Sequence, residues 1–119
     1  MSSTSFRLIV HQSVNPDGLA QFRELAQRGA AGAQANEPGT LGYEFFLSED
    51  GSDCYLNEYY EGDQAFLDHF ERVQPILQQS MKVSTLVEAV VLGDPGAEAR
   101  AMLDRLGAKY YSDCIGFCR

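Results

Sequence analysis

The sequence has few basic residues for its number of acidic ones. Nine lysines and arginines stand against seventeen aspartates and glutamates, giving a formal net charge of -8 over 119 residues. An acidic surface repels phosphate backbones and anionic lipid headgroups, so we expect neither nucleic acid nor a membrane surface as a partner. No apolar run approaches the roughly 20 residues that a membrane-spanning helix needs, and the opening residues lack a signal-peptide layout.

Cysteine is also scarce. The three cysteines, Cys54, Cys114 and Cys118, are an odd number without the spacing of a disulfide framework. This favours a reducing compartment, and we predict a cytoplasmic protein. The last two could ligate a metal from one helix, but no further cysteine or histidine cluster accompanies them, so no metal is expected. Glycine-rich phosphate motifs and dinucleotide fingerprints are absent, and we expect no cofactor.

The most informative stretch covers residues 39–70. Two apolar and aromatic runs, 41–47 and 54–60, flank the turn signal Glu-Asp-Gly-Ser at 49–52, which predicts a β-hairpin. Asp63 follows as the expected N-cap of a helix.

Prolines mark the expected limits of the helices. Asn15 and Pro16 are typical of the N-cap and first position of a helix after the first strand. Pro75 lacks a backbone donor and clashes with the preceding turn, so the second long helix should break there. A short helix over about 75–81 should then restart at an angle.

The predicted order is β-α-β-β-α-β with a C-terminal extension. Strands over 6–14 and 83–92 complete the set, which predicts a ferredoxin-like α+β domain with a four-stranded antiparallel sheet. We assign this domain to residues 1–93. Residues 94–119 should form a short helix, stopped by Gly107, and an apolar tail that packs on the same domain or on a partner subunit.

The first and fourth predicted strands are apolar on both faces. The helices cover only one face of such a sheet, so the other face needs a cover of its own. Two sheets packed face to face would supply it, and we therefore expect a homodimer.

Four short motifs follow one another in a characteristic order within residues 6–92. They are Glu37-Pro38-Gly39, Tyr43-Glu44, Asn57-Glu58-Tyr59-Tyr60-Glu61 and Gln64-Ala65-Phe66-Leu67-Asp68-His69-Phe70. In these motifs the chain resembles the antibiotic biosynthesis monooxygenase family, whose members are small dimeric α/β-barrel proteins. The resemblance implies oxidation of anthrones or quinols by molecular oxygen without metal or flavin. Relatives degrade haem, isomerise lactones or have no known reaction, and residues 75–82 lack the histidine that haem ligation would need.

His69 is the candidate catalytic base. It lies on the apolar face of its helix with Phe66, and the resemblance places such a residue at the border of a pocket between helix and sheet. A neutral imidazole there could take a proton from a phenolic hydroxyl. The alternative is a core histidine bonded to a carbonyl group.

Four residues are candidates for substrate binding. His11 lies near the end of the first strand, where the resemblance places a pocket asparagine, and it could face the same cavity as His69. Asn57 and Tyr60 lie on opposite faces of the third strand, and either could orient a substrate hydroxyl. Phe66 would be an apolar contact. Glu58, on the Tyr60 face, could instead make only structural hydrogen bonds.

The leading hypothesis is a cofactor-independent monooxygenase that oxidises a small quinol- or anthrone-like aromatic with molecular oxygen. Two alternatives remain open. The first is a non-catalytic stress-response or ligand-binding barrel protein. The second is an isomerase or cyclase that uses the same pocket and consumes no oxygen.

Overall fold

A computed structural model describes residues 5–119 of the chain; residues 1–4 of the domain predicted over 1–93 lie outside that range. The elements, in chain order, are β1 Phe6–Val14, α1 Leu19–Asn36, β2 Thr40–Leu47, β3 Asp53–Tyr60, α2 Asp63–Ser80, β4 Ser84–Gly93, α3 Ala97–Arg105 and β5 Lys109–Tyr111. None of these helices has the length and apolarity to cross a bilayer.

One five-stranded sheet with the strand order β2-β3-β1-β4-β5 organises the fold. The first four strands are antiparallel, with β1 at the centre, which confirms the ferredoxin-like α+β prediction. The predicted β2–β3 hairpin is also confirmed, and Gly51 in its turn has φ 75°, which glycine adopts at little cost. The sheet is one strand larger than predicted, because β5 pairs in parallel with β4.

The two faces of the sheet differ in cover. On β1, Phe6, Leu8 and Val10 are buried beneath the helices, whereas Arg7 and Ile9 alternate with them and are only partly buried. We call the second surface the open face. It carries the odd-numbered residues of β1 and their neighbours across β2, β3 and β4.

The first helix starts later than predicted. It begins at Leu19 rather than at Asn15 and Pro16. Asn15 instead belongs to a turn: its carbonyl accepts from the Gly18 N–H, and its own N–H bonds the Val83 carbonyl at 2.8 Å. These bonds hold the segment against the chain just before β4, so it cannot join the helix.

Helix α2 runs unbroken to Ser80, so the prediction of a break at Pro75 is wrong. Proline removes one helical hydrogen bond, a cost that packing of the rest of the helix can offset. Phe66 and His69 are buried on its inner face, which extends past the proline to Leu77 at the wall of a cavity.

Asp63 does not cap its own helix, which corrects another prediction. The residue before α2 is Gly62, and it makes no side-chain capping bond. The Asp63 carboxylate instead accepts hydrogen bonds from the Gly96 N–H at 2.8 Å and the Ala99 N–H at 3.1 Å, at the start of α3. A cap of this kind contributes about 1 kcal/mol, here to the attachment of the C-terminal helix.

The C-terminal elements pack on the chain's own core. Ala99 and Leu103 of α3 are fully buried in the same cluster as Phe6 and Phe66. Gly107 ends the helix with φ 73°, as predicted. Beyond β5 the tail leaves large apolar side chains uncovered; Ile115 is 94% exposed.

Candidate active site

A cavity of about 180 Å³ lies between the helix-covered face of the sheet and α2. Its walls are mainly aliphatic and aromatic side chains, with a few polar groups among them. Residues from β1, β2, β3, α2 and β4 line it, together with Met81 just after α2 and Leu106 beyond α3. Those from the five elements are Leu8, Val10, Gln12, Tyr43, Phe45, Leu56, Glu58, Phe66, His69, Phe70, Val73, Leu77, Ser80, Ser84 and Leu86. An apolar cavity with convergent polar groups is the usual form of a small-molecule site.

His69 lines this cavity with only 3% of its surface exposed. Its Nδ1 lies 2.7 Å from Oε1 of Glu37, which follows the last residue of α1. Glu37 is itself buried, and the two other side chains that bond or pair with it are donors. The Thr40 hydroxyl donates to Oε1 at 2.8 Å, and Nε of Arg72 lies 3.6 Å from Oε2. Glu37 therefore acts as a carboxylate acceptor.

This arrangement assigns the tautomer of His69. Because a carboxylate can only accept, Nδ1 carries the proton and Nε2 is left with its lone pair. No hydrogen bond to Nε2 comes from any residue in 5–119. Burial lowers the pKa of His69 below its ordinary value of 6.5, and Glu37 opposes that shift. At neutral pH His69 is thus an uncharged base.

Two tyrosines enclose the imidazole ring. The Tyr43 and Tyr60 ring centroids lie 4.5 and 5.6 Å from that of His69. Burial raises the pKa of both phenols well above 10, so neither is a base near neutral pH. They hold the ring in place and keep water from it.

Glu58 brings a second buried carboxyl group to the cavity wall. The Tyr60 hydroxyl donates a short hydrogen bond to its Oε1. Burial raises the pKa of Glu58 from 4.5 to about 7, although the bond from Tyr60 acts in the opposite direction. The site therefore contains one base and one carboxyl group that holds its proton up to near neutral pH.

His11 lies on the open face. Its ring stacks on that of Tyr55, with centroids 4.5 Å apart, and its Nε2 is 2.9 Å from Oδ1 of Asp53. The interpretation that both histidines face one cavity is therefore corrected: His11 shares the strand alternation of Arg7 and Ile9, and only His69 lines the cavity of this chain.

The other predicted substrate-binding residues divide in the same way. Phe66 is part of the cavity wall, and fully buried Tyr60 stands behind it, in contact with Phe66 and bonded to Glu58. Asn57 is on the open face, where its Nδ2 donates to Oε1 of Glu44 at 3.3 Å. Their roles in substrate binding remain predictions.

Sequence reasoning missed Glu37 as a site residue and noted it only as part of a family motif. One signal was present: a carboxylate at a helix C-terminus is unfavourable beside the negative end of the helix dipole. A residue kept there against that cost points to another partner, which is His69, thirty-two positions later.

Cys54 is buried, and Cys114 and Cys118 are exposed. Within residues 5–119, no three histidine, cysteine or acidic side chains are arranged to hold a metal ion.

Several solved structures share this fold. MupZ from Pseudomonas fluorescens superposes with a TM-score of 0.86 at 18% identity, covering 98% of this chain and 95% of its own. Rv0793 from Mycobacterium tuberculosis gives a TM-score of 0.67 at 20% identity, covering 79% of this chain and 98% of its own. A Nitrosomonas europaea protein, provisionally named an antibiotic biosynthesis monooxygenase, gives a TM-score of 0.69 at 19% identity, covering 81% of this chain and 98% of its own. At these identities the likeness shows the fold alone, and MupZ shares it through the C-terminal elements as well.

A search of curated proteins finds no match to the chain. The sequence does match the family described as antibiotic biosynthesis monooxygenase, over residues 5–74. That segment contains β1, α1, β2, β3 and the part of α2 that bears His69, and it is more than half of the chain. The chain belongs to the antibiotic biosynthesis monooxygenase family.

Proposed function

We propose that the protein is a cofactor-independent monooxygenase that oxidises a small quinol- or anthrone-like aromatic with molecular oxygen. The observation that carries the proposal is the Glu37–His69 pair at the wall of an apolar cavity, with Nε2 of His69 unpaired. Family membership supports the reaction class. The substrate and the roles of the residues are part of the proposal.

The first step is removal of a substrate proton. Nε2 of His69 accepts the proton of a phenolic or enolic hydroxyl, and the imidazolium formed is stabilised by the Glu37 carboxylate through Nδ1–H. A positioned base of this kind contributes typically 10²–10⁴-fold to rate. The apolar walls leave the substrate anion poorly solvated and electron-rich, which favours electron transfer to oxygen.

The electrons come from the substrate itself. In an anthrone, the methylene carbon gains one oxygen atom of O2 and becomes a carbonyl carbon. Its two hydrogens leave with the other oxygen atom as water. The reaction is therefore balanced without a separate reductant, and His69 can return its proton to the departing oxygen.

We further propose that the protein works as a cytoplasmic homodimer joined through the open face. That face carries Phe46, Tyr55 and Leu92 with 57%, 51% and 42% of their surfaces exposed, too much apolar area for a free sheet surface. The three free cysteines support a reducing compartment. His11 and Asn57 would then lie at or near the subunit interface.

Oxygen uptake tests the oxygenase proposal. The metal-free protein is assayed with anthrone and a set of hydroquinones, beside His69→Ala and His11→Ala as the matched control on the open face. We expect uptake to fall at least 100-fold in His69→Ala and less than about threefold in His11→Ala. Equal uptake in wild type and His69→Ala would remove His69 from the reaction.

One observation favours a second candidate, an isomerase or cyclase. Glu58 brings a protonated carboxyl group to the cavity that His69 lines, and an acid beside a base can move a proton between two carbons or close a ring. Conversion of a substrate without oxygen uptake, lost in both Glu58→Gln and His69→Ala, would favour this function. Binding without conversion would favour a ligand-binding protein.

A further inference from the structure

The cavity has a second polar end, away from His69. Gln12 of β1, Ser80 at the end of α2 and Ser84 at the start of β4 line it there. Glu58 pairs with Leu8, four residues before Gln12 on β1, which places the two polar ends about 13 Å apart along the strand. Along α2, the eleven steps from His69 to Ser80 span about 16 Å.

The hydrogen bonds at this end determine the orientation of the Gln12 amide. The Ser84 hydroxyl donates to the Ser80 carbonyl at 2.8 Å, so its oxygen can only accept from its other neighbours. The Gln12 group that faces it, at 3.4 Å, is therefore the Nε2 donor. The Ser80 hydroxyl, 3.2 Å from Ser84 Oγ, is by the same reasoning a donor to it.

The opposite atom of the amide has no donor. Gln12 Oε1 is buried and receives no hydrogen bond from residues 5–119. Both serine protons are already committed, so neither can turn to serve it. An unpaired buried acceptor costs free energy, and a ligand that supplies a donor recovers it. A ligand oxygen without a hydrogen would meet this acceptor unfavourably.

We propose that Gln12 forms a distal subsite that selects elongated aromatic substrates with a hydroxyl or N–H group far from the reacting hydroxyl. This rests on the proposal that the cavity is the substrate site, and it narrows the quinol- or anthrone-like class to compounds with a second, distal donor. The bond from Nε2 to Ser84 is long, and the terminal torsion of glutamine is soft, so a small rotation that keeps Nε2 toward Ser84 can bring Oε1 to a ligand donor in the cavity that Gln12 lines. At about 180 Å³ the cavity suits a small, narrow molecule.

Equilibrium binding of two naphthalene probes tests the subsite. 2,6-Dihydroxynaphthalene carries a distal donor, whereas 6-methoxy-2-naphthol carries only a distal acceptor. Isothermal titration calorimetry under anaerobic conditions measures both dissociation constants. We expect the diol to bind about five to ten times more tightly to the wild-type protein, the size of one net hydrogen bond.

Variants place the preference at Gln12. Gln12→Met keeps the length of the side chain without its amide, and it should bind the two probes with similar affinity. Ser13→Ala, the next residue and on the open face, should keep the wild-type preference. The wild-type comparison stands even if a variant fails to fold.

Three results would overturn the subsite: equal affinities in wild type, a preference unchanged in Gln12→Met, or no binding of either probe to wild type. The outcome is separate from that of the oxygenase proposal, because no oxygen is present. A diol preference together with a failed uptake assay would leave the subsite standing and reject the oxidation. Oxygen uptake that depends on His69, without a preference for the diol, would support the oxidation and reject the subsite.

Discussion

The two faces of the sheet place the chain's only two histidines in opposite settings. On the helix-covered face His69 is buried and bonded to Glu37, of which only 6% of the side chain is exposed. On the open face His11 is bonded to Asp53, of which 47% of the side chain is exposed. Both are histidine–carboxylate pairs with distances below 3 Å. What distinguishes them is solvent: the buried pair works at low dielectric and keeps one nitrogen free toward a cavity.

This comparison shows that residue type and pairing do not by themselves identify a catalytic group. In a single chain the partly exposed His11–Asp53 pair is screened by water and contributes little to stability. The buried pair fixes a tautomer and presents a lone pair in a water-poor site. Substitutions on each face separate chemistry, expected on the helix-covered face, from assembly, expected on the open face.

The largest effect on stability should come from Glu58→Gln. The folded-state pKa of Glu58, about 7, lies above its unfolded value of 4.5, so folding binds this proton more tightly. Its contribution to the free energy of unfolding therefore declines as pH rises from about 4.5 to about 7, by roughly 3 kcal/mol in total. Because glutamine does not ionise, the variant does not lose this free energy of unfolding as pH rises. Chemical denaturation across pH should find Glu58→Gln gaining stability relative to wild type as pH rises through 7, with the difference levelling off only above the folded-state pKa of Glu58.

The sign of that difference is the critical result for Glu58. Glutamine keeps an oxygen to accept the Tyr60 hydroxyl bond, so loss of that bond does not obscure the comparison. A variant that becomes less stable than wild type as pH rises would show that the carboxylate, not the acid, is the favoured form in the fold.

Glu37→Gln should give the next largest effect, on activity. An amide no longer stabilises the imidazolium, so we expect kcat to fall about tenfold to hundredfold with a smaller change in KM. Because Glu37 raises the pKa of His69, its loss should also move the acid limb of the pH–rate profile to lower pH. Arg72→Gln is the control, since Nε of half-exposed Arg72 lies 3.6 Å from Oε2 of Glu37 and its removal leaves the bond between Glu37 Oε1 and His69 Nδ1 in place. An acid limb at the wild-type pH in Glu37→Gln would contradict the pairing.

The open face should act through assembly, with the smallest effect on the chemistry itself. Leu92→Lys places a charge among its exposed apolar residues and should convert a dimer to a monomer in sedimentation velocity at micromolar concentration. The cavity of each chain should still bind the probes within about threefold of wild type. A wild-type protein that already sediments as a monomer would reject the dimer proposal.

Local features of this fold were predictable because their causes are local. The hairpin turn at Asp50-Gly51 and the stop at Gly107 follow from glycine's access to positive φ. The face of α2 that bears His69 follows from helical spacing.

The predictions that failed depended on non-local contacts. Asp63 has the sequence position of a cap for its own helix, but its carboxylate caps a helix that begins more than thirty residues later. Pro75 predicts a break in the helix, but α2 continues through it because packing stabilises the helix on both sides. Strand β5 has only three residues, too few for a periodic signal.

The site was predictable only in part for the same reason. His69 lies on an apolar stripe that can be read from its own helix, whereas its partner Glu37 comes from the end of another one. For His11, strand alternation groups it with Arg7 and Ile9 but does not say which group the helices cover. Because β1 carries apolar residues on both faces, that choice depends on tertiary packing.

The most direct test of this account is the ¹⁵N NMR spectrum of the His69 ring. In His11→Ala the chain retains a single histidine, so the assignment is unambiguous. At pH 7 we expect a neutral ring with its proton on Nδ1 and a free Nε2, converting to imidazolium only below pH 6.5. A ring protonated at Nε2, or an imidazolium already present at pH 7, would contradict the claim that Glu37 holds His69 as a base facing the cavity.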